Sequence, residues 1–269
     1  MRISSIRNKT DTKLFRILAP IGSFIFWMGL WLLLSFVIND SFFLPSPVEV
    51  FSELASRITQ AEFWSSVAVS VIRVLAGYLA GVVIGVLIAC LTAVSLVADV
   101  LFSPLMAVVR ATPVVSIIIL AFLLFSRTSV PSYIVILMVA PVIWANIHEG
   151  IRNTDRSLIE MTEVYRLSPI ARIRRLYIPS VMPYFASAAI TAFGFAWKSG
   201  VAAEIICYPD YSIGKLIYKS RTALDNTSVF ALTAVVVIIS ILFEIALKTV
   251  IKKLSRSRLM KKRTGGEEK

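Results

Sequence analysis

Between Val74 and Ala98 the chain reads VLAGYLAGVVIGVLIACLTAVSLVA, and none of these residues carries a charge. Such a run of ~20 residues, wound as a helix, crosses the hydrocarbon layer of a bilayer. Inside that layer no water satisfies backbone N–H and C=O groups, so an unbroken apolar run of this length takes the helix. Ile17 to Ile38 is equally free of charge. Working outward, hydropathy and breakers give six candidate spans: Ile17–Ile38, Val67–Val97, Leu101–Phe125, Val130–Ile147, Val181–Tyr208 and Val229–Val250. Arg110 interrupts the third and Glu244 the sixth. The class that follows is an all-α integral membrane protein. Composition agrees: 57% of the 269 residues are hydrophobic, beyond the roughly 45–50% of a soluble domain.

The net charge of +12 raises the possibility of nucleic-acid binding, and its distribution decides against it. An even number of spans puts both termini on one side. Five Lys and Arg lie in 1–16, six in 149–180 and nine from Lys248 onward, against five in all the segments of the other side. Basic residues accumulate on the cytoplasmic face, so the expected topology is multi-pass with both termini cytoplasmic, and no basic patch is left over for nucleic acid. The N-terminus lacks the small-residue cleavage site of a signal peptide. Cys90 and Cys207 are too few for a disulfide framework and read as small buried apolar side chains. With His148 the sole histidine, no metal site is expected.

The organisation read from this pattern is a cytoplasmic basic tail (1–16), a first span with an extracytoplasmic amphipathic segment (17–63), a transmembrane core (64–250) and a second cytoplasmic basic tail (251–269). The end from Arg263 is expected to be disordered. Val48, Phe51, Leu54, Ala55 and Ile58 recur at helical spacing, the pattern of a helix lying on a membrane surface. Segment 209–227 reads as a polar outer loop. Within the core, 149–180 is long and polar yet patterned as two short helices. Asn153 or Thr154 caps the first, with Asp155 in its first turn, and it runs to about Arg166. Ser168-Pro169 is an N-cap followed by an N1 proline. The second helix sets Ile170, Ile173, Leu176 and Tyr177 opposite Arg172 and Arg175, and Pro179 ends it. An apolar ridge with basic flanks suits docking onto another protein; a helix resting on the bilayer is the alternative.

Glu160-Met-Thr-Glu-Val-Tyr-Arg-Leu-Ser-Pro, with Ile178-Pro179-Ser-Val-Met-Pro183 after it, resembles the EAA loop of binding-protein-dependent ABC permeases. Met161-Thr162 stands where the alanine pair is usual, and Arg166 where the glycine is. Leu44–Pro47, Ser70–Gly77 and Phe195–Glu204 resemble, in order and spacing, the nitrate/sulfonate/taurine-type permeases of that family. The resemblance implies the type I importer permease fold, similar to the methionine permease. It also implies the partners: ABC ATPase subunits, an extracytoplasmic substrate-binding protein and a second permease copy, with a homodimer expected, in the plasma (inner) membrane. Glu160, Glu163, Arg166, Leu167, Ser168, Pro169, Ile173 and Pro179 are then the ATPase-coupling residues. The chain itself has no Gly-rich phosphate loop, so ATP and Mg are expected on the partner ATPase, with no cofactor and no catalytic residue here.

Charges inside a bilayer are costly and face the protein interior or water. Lys198 and Glu204 in the fifth span are candidates for the solute pathway or its gate, with Lys198 attracting an anion; the alternative is a fixed interhelical network. Arg110 is a further pathway candidate. Arg73 is expected to snorkel to headgroups, and Glu244 to pair with Lys248 one turn on. Trp27 and Trp31 are expected to pack a span and Trp64 to suit the interfacial belt. Gly77, Gly81 and Gly85 form a smooth ridge that admits another helix backbone, within the chain or across a dimer. A membrane-embedded enzyme would need paired His or an Asp dyad in a span, and neither occurs. A secondary carrier or channel is the rival; inverted repeats and broken helices are its usual marks, and neither is evident in the sequence.

Overall fold

The computed structural model describes residues 13–264. Of the two basic tails, residues 1–12 and 265–269 lie outside the described residues, and with them most of the end expected to be disordered. The described residues are helical throughout, with no strand: α1 Lys13–Ile38, α2 Pro47–Ile58, α3 Ala61–Val94, α4 Leu96–Ala111, α5 Val114–Leu124, α6 Val130–Arg152, α7 Arg156–Val164, α8 Pro169–Arg172, a π-turn Ile173–Tyr177, α9 Ile178–Cys207, α10 Ile213–Thr222 and α11 Asn226–Thr264. Among them five helices are long and apolar enough to cross a membrane, or six if α4 and α5 count as one span.

They are not one straight span. The run expected over Leu101–Phe125 bends by 104° between α4 and α5. Thr112 closes α4 in an extended conformation and Pro113 precedes α5. A proline excludes its predecessor from the helical region and offers no N–H, so the pair Thr112-Pro113 breaks what hydropathy reads as continuous. Segment 209–227 also differs from the polar loop expected. It holds α10, whose Ile213, Leu216 and Ile217 are buried, because an apolar i, i+3, i+4 set is hidden among polar neighbours.

The chain forms two compact units. The smaller takes the residues up to Gln60 together with Lys219–Ala234. Here α1 is apolar on every side and none of its most hydrophobic window is buried, as suits a helix facing lipid or another subunit. Trp27 is exposed and does not pack the span as expected. Trp31 donates to the Pro45 carbonyl at 3.1 Å, and Ser35 to Leu44 at 3.0 Å, tying the turn after α1. A capping box starts α2: the Ser46 hydroxyl accepts from the Glu49 N–H, and the Glu49 carboxylate accepts from the Ser46 N–H at 2.7 Å. The Ser46 N–H first, then the hydroxyls of Ser41 and Ser46 donating at 2.7 and 3.0 Å, hold the Glu49 carboxyl below its ordinary value. Val48, Phe51 and Ile58 are exposed along α2, the amphipathic face read from the sequence. Arg57, Glu53, Ser228 and Asp225 join in one polar cluster.

The larger unit is built on α3, α6 and α9. Gly77, Gly81 and Gly85 of α3 meet α6 directly. A methyl at Gly81 would lie 2.8 Å from Val139 Cβ, and one at Gly85 2.7 Å from the Ala140 carbonyl oxygen. Without a hydrophobic driving force between helices in lipid, such close backbone approach supplies the packing energy. Three buried aromatic side chains find acceptors: Tyr78 donates to Ala189 O at 3.0 Å, Trp144 to Thr92 at 3.1 Å and Trp197 to Val236 O at 2.9 Å. Cys207 is buried, but Cys90 is exposed, correcting the expectation for that thiol. It lines an apolar groove of about 470 Å³ with Val86, Ile147, Ile173, Tyr177 and Met182.

Candidate coupling loop and intramembrane ion pair

The loop after α6 is two capped helical turns around one tight corner. Asp155 is the N-cap of α7 rather than a first-turn residue. Its Oδ1 accepts from the Ser157 N–H at 2.9 Å and the Ser157 hydroxyl at 2.8 Å. Those two bonds, the hydroxyl foremost, lower the Asp155 carboxyl from its ordinary value. Thr154, one of the expected caps, instead donates back to Gly150 O at 3.2 Å, a bond open to any hydroxyl one turn beyond a helical carbonyl.

α7 stops at Val164, two residues before the expected end. The Arg166 N–H bonds the Glu163 carbonyl at 2.9 Å and the Leu167 N–H bonds Thr162 at 3.0 Å. This is a Schellman closure, and Arg166 is its left-handed residue, at φ 48°. Glycine is usual in such a position; a side-chain-bearing residue there costs roughly 1–2 kcal/mol. The backbone corner therefore survives the arginine that stands in the glycine's place. Ser168 then caps α8 by accepting from the Ala171 N–H at 3.3 Å, with Pro169 in the first turn, as the sequence indicates.

Pro179 does not end the second helix. α8, the π-turn and α9 run on continuously from Pro169 to Cys207. The Ile178 N–H reaches back to Ile173, and the widened turn accommodates Pro179, which offers no N–H and would crowd an ordinary α-turn. The widening also breaks the expected ridge: Leu176 is buried, while Ile170 and Ile173 are exposed. The loop's surface is led by Val164, Ile170 and Tyr165, 79%, 78% and 73% exposed. Glu160 is exposed, and Glu163 pairs with Arg172 at 3.5 Å.

Deeper in the same unit lies a buried charge pair. Glu204, near the C-terminal end of α9, is fully buried and takes a short bond from Arg73 of α3. Ser70, one turn before Arg73, donates to Glu204 Oε2 at 2.6 Å and accepts from the Ile213 N–H at 2.9 Å. The Gly214 N–H also faces Glu204, at 3.4 Å. One carboxylate thus joins α3, α9 and the start of α10, and a side chain at Gly214 would collide with Glu204. Arg73, expected to snorkel, is instead held inward, because a buried carboxylate demands a cation more strongly than headgroups attract one. Spacing along one helix gave no sign of a pair 131 residues apart.

Lys198 lies on the exposed face of α9 with no carboxylate in reach among the described residues. Arg110 is exposed too, its guanidinium 5.9 Å over the Trp144 ring. Arg127, one of the five basic residues expected on the outer side, sits 5.2 Å over Tyr208, and Tyr208 stacks on Tyr218 at 4.9 Å. Glu244 and Lys248 pair on the surface of α11. Among the described residues no His, Cys, Asp and Glu group could hold a metal ion.

Residues 81–256 match the family model described as binding-protein-dependent transport system inner membrane component. Over 184 residues the chain is 31% identical to the putative aliphatic sulfonates transport permease protein SsuC of Escherichia coli, covering 68% of this chain and 70% of that one. It is 24% identical to the bicarbonate transport system permease protein CmpB of Synechococcus elongatus, covering 79% and 80%. Among solved structures, an amino acid ABC transporter chain superposes with a TM-score of 0.62 at 14% identity, covering 76% of this chain and 97% of that one. The MetNI methionine ABC transporter gives 0.52 at 17% identity, covering 71% and 93%. The fold is that of the ABC importer permeases.

Proposed function

We propose, from the premise that this chain belongs to the family of binding-protein-dependent transport system inner membrane components, that it forms half of the solute pathway of an ATP-driven importer. The chain is an integral membrane permease subunit and not an enzyme. In the proposed assembly two copies enclose the pathway, each with an ATPase subunit on the cytoplasmic side, and a binding protein delivers solute from outside. ATP and Mg belong to the ATPase. Both termini and the 149–180 loop face the cytoplasm in this reading.

The observation that carries it is the exposed tip of the capped loop, where Val164, Tyr165 and Ile170 stand in solvent with Glu160 and Arg166 around them. Apolar side chains set on a capped corner and left uncovered favour a protein groove as their cover. The solute is a small anion, of the kind that sulfonate and bicarbonate exemplify. Lys198 and Arg110 support this, since un-neutralised cations on exposed faces of membrane helices lower the barrier to an anion.

The test is uptake by proteoliposomes holding the permease with its ATPase and binding protein. Uptake dependent on ATP inside the vesicle is expected, and charge reversal at Glu160 and Glu163 together should lower transport-linked ATP hydrolysis while insertion persists. Solute flux through the permease alone, indifferent to ATP, would instead establish a carrier or channel.

A further inference from the structure

Three elements meet around the apolar groove of about 470 Å³. Val86 and Cys90 come from the last turns of α3, Ile147 and Ile151 from the last turns of α6, and Ile173 and Tyr177 from the π-turn that leads into α9. The groove therefore lies at the ends of the spans nearest the 149–180 loop. Its walls suit hydrocarbon and offer a small anion no charged side chain. A helix with its side chains is ~10 Å across, so this volume holds only about one turn of it. A single flexible acyl chain needs no such width. The flanks are cationic. Arg152 follows Ile151 at the end of α6, and Arg174 follows Ile173 in the π-turn. Both are exposed, and neither makes an ion pair among the described residues. Each adjoins a residue of the groove wall, and an arginine so placed lays its stem along apolar surface while its head reaches water.

We propose that this groove is a binding site for an anionic phospholipid of the cytoplasmic leaflet. One acyl chain lies along Val86, Cys90 and Ile147, and the phosphate is held by Arg152 and Arg174. Hydrocarbon walls with unpaired cations beside them match the two halves of such a molecule, and anionic lipids are concentrated at the cytoplasmic surface. A guanidinium fork takes two phosphate oxygens at once. A zwitterionic lipid competes less well, because its own ammonium opposes the arginines. The inference uses the orientation proposed above but not the importer assembly. The lipid joins α3, α6 and the π-turn whether or not an ATPase is bound.

The experiment incubates the detergent-purified permease with equal amounts of phosphatidylglycerol and phosphatidylcholine of identical acyl chains, then reads the retained lipid by native mass spectrometry. Phosphatidylglycerol is expected to be retained about tenfold over phosphatidylcholine. Arg152→Gln combined with Arg174→Gln should abolish that preference and leave the two lipids equal. Cys90→Trp fills the groove and should remove the retained lipid, while Cys90→Ala leaves it open and keeps the lipid. In the wild type, phosphatidylglycerol should also slow maleimide reaction at Cys90 several-fold more than phosphatidylcholine does, a measurement that needs no bulky substitution. Equal retention by the wild type, a preference untouched by the double glutamine variant, or a Cys90→Trp permease that keeps its lipid would each overturn the site. If Cys90→Trp keeps the lipid and loses its dimer, the groove belongs to a second copy of the chain instead. No ATP, solute or partner enters these measurements, so a failure of ATP-dependent uptake would leave them standing.

Discussion

At the scale of single residues, the largest stake is the carboxylate of Glu204. It is fully buried, and among the described residues Arg73 is its one cationic partner. Removing one member of such a pair leaves an uncompensated charge and costs ~3–5 kcal/mol. Arg73→Met is therefore expected to lower the melting temperature of the detergent-solubilised permease sharply. Adding Glu204→Gln should recover much of that loss, giving a double variant less damaged than the two single effects combined. Simple additivity in thermal unfolding would mean that the two side chains are not coupled. The acidic N-caps give a second expectation. Asp155 titrates below its ordinary 3.8 in the folded chain and Glu49 below its ordinary 4.5. Both contributions are fully present above those values and are lost as pH falls through the lowered folded pKa. Amide exchange at Ser157 and at Ser46, whose N–H groups these carboxylates accept, should then show no added loss of protection between about pH 7 and 5, with acceleration only in more acid solution. A rise centred near neutrality would contradict the assigned cause.

At the scale of elements, close approach and capping decide. Val139 and Ile136 of α6 fill the space a side chain at Gly81 would need. Gly81→Leu should cost ~1–3 kcal/mol through overpacking, seen as a lower unfolding temperature. An equal substitution at Gly22 of α1, where nothing lies within 4 Å, should be silent by the same measurement. Loss of the Ser168 cap in Ser168→Ala should cost ~1 kcal/mol and increase proteolytic nicking between Leu167 and Ala171 without affecting insertion. The sequence revealed this cap because Ser168-Pro169 is a local signal read within one turn. It did not reveal that Pro179 lies inside a continuous helix, since a π-turn is chosen by how α9 seats, not by the proline alone. Nor did it reveal the bend at Pro113, where hydropathy is uninterrupted and only backbone geometry changes.

At the scale of the whole molecule, the two thiols report on the packing. Cys207 is buried and Cys90 lines the open groove. A membrane-permeant maleimide should modify Cys90 rapidly and Cys207 only after unfolding, as mass spectrometry of the two peptides can read. Orientation is tested separately: with both native cysteines replaced, a thiol placed at the exposed Tyr165 position should react with an impermeant reagent in inside-out vesicles and not in intact cells. Labelling from outside would reverse the topology and remove the proposed site of ATPase docking.

Although α11 runs on to Thr264, well past the expected Val250, the sequence by itself determined that this chain enters a membrane as helices, where most of its spans lie, and that one polar loop is built of short capped helices. Those properties depend on runs of apolar residues, basic clusters and caps, all of them local. Only the tertiary structure decided that Arg73 turns inward to Glu204, that Ile213–Thr222 folds as a helix, and that Arg166 holds a glycine's conformation. A buried charge takes whichever partner the packing brings within reach, and a backbone corner takes the angle its neighbours' hydrogen bonds impose; neither is written in any one stretch of chain.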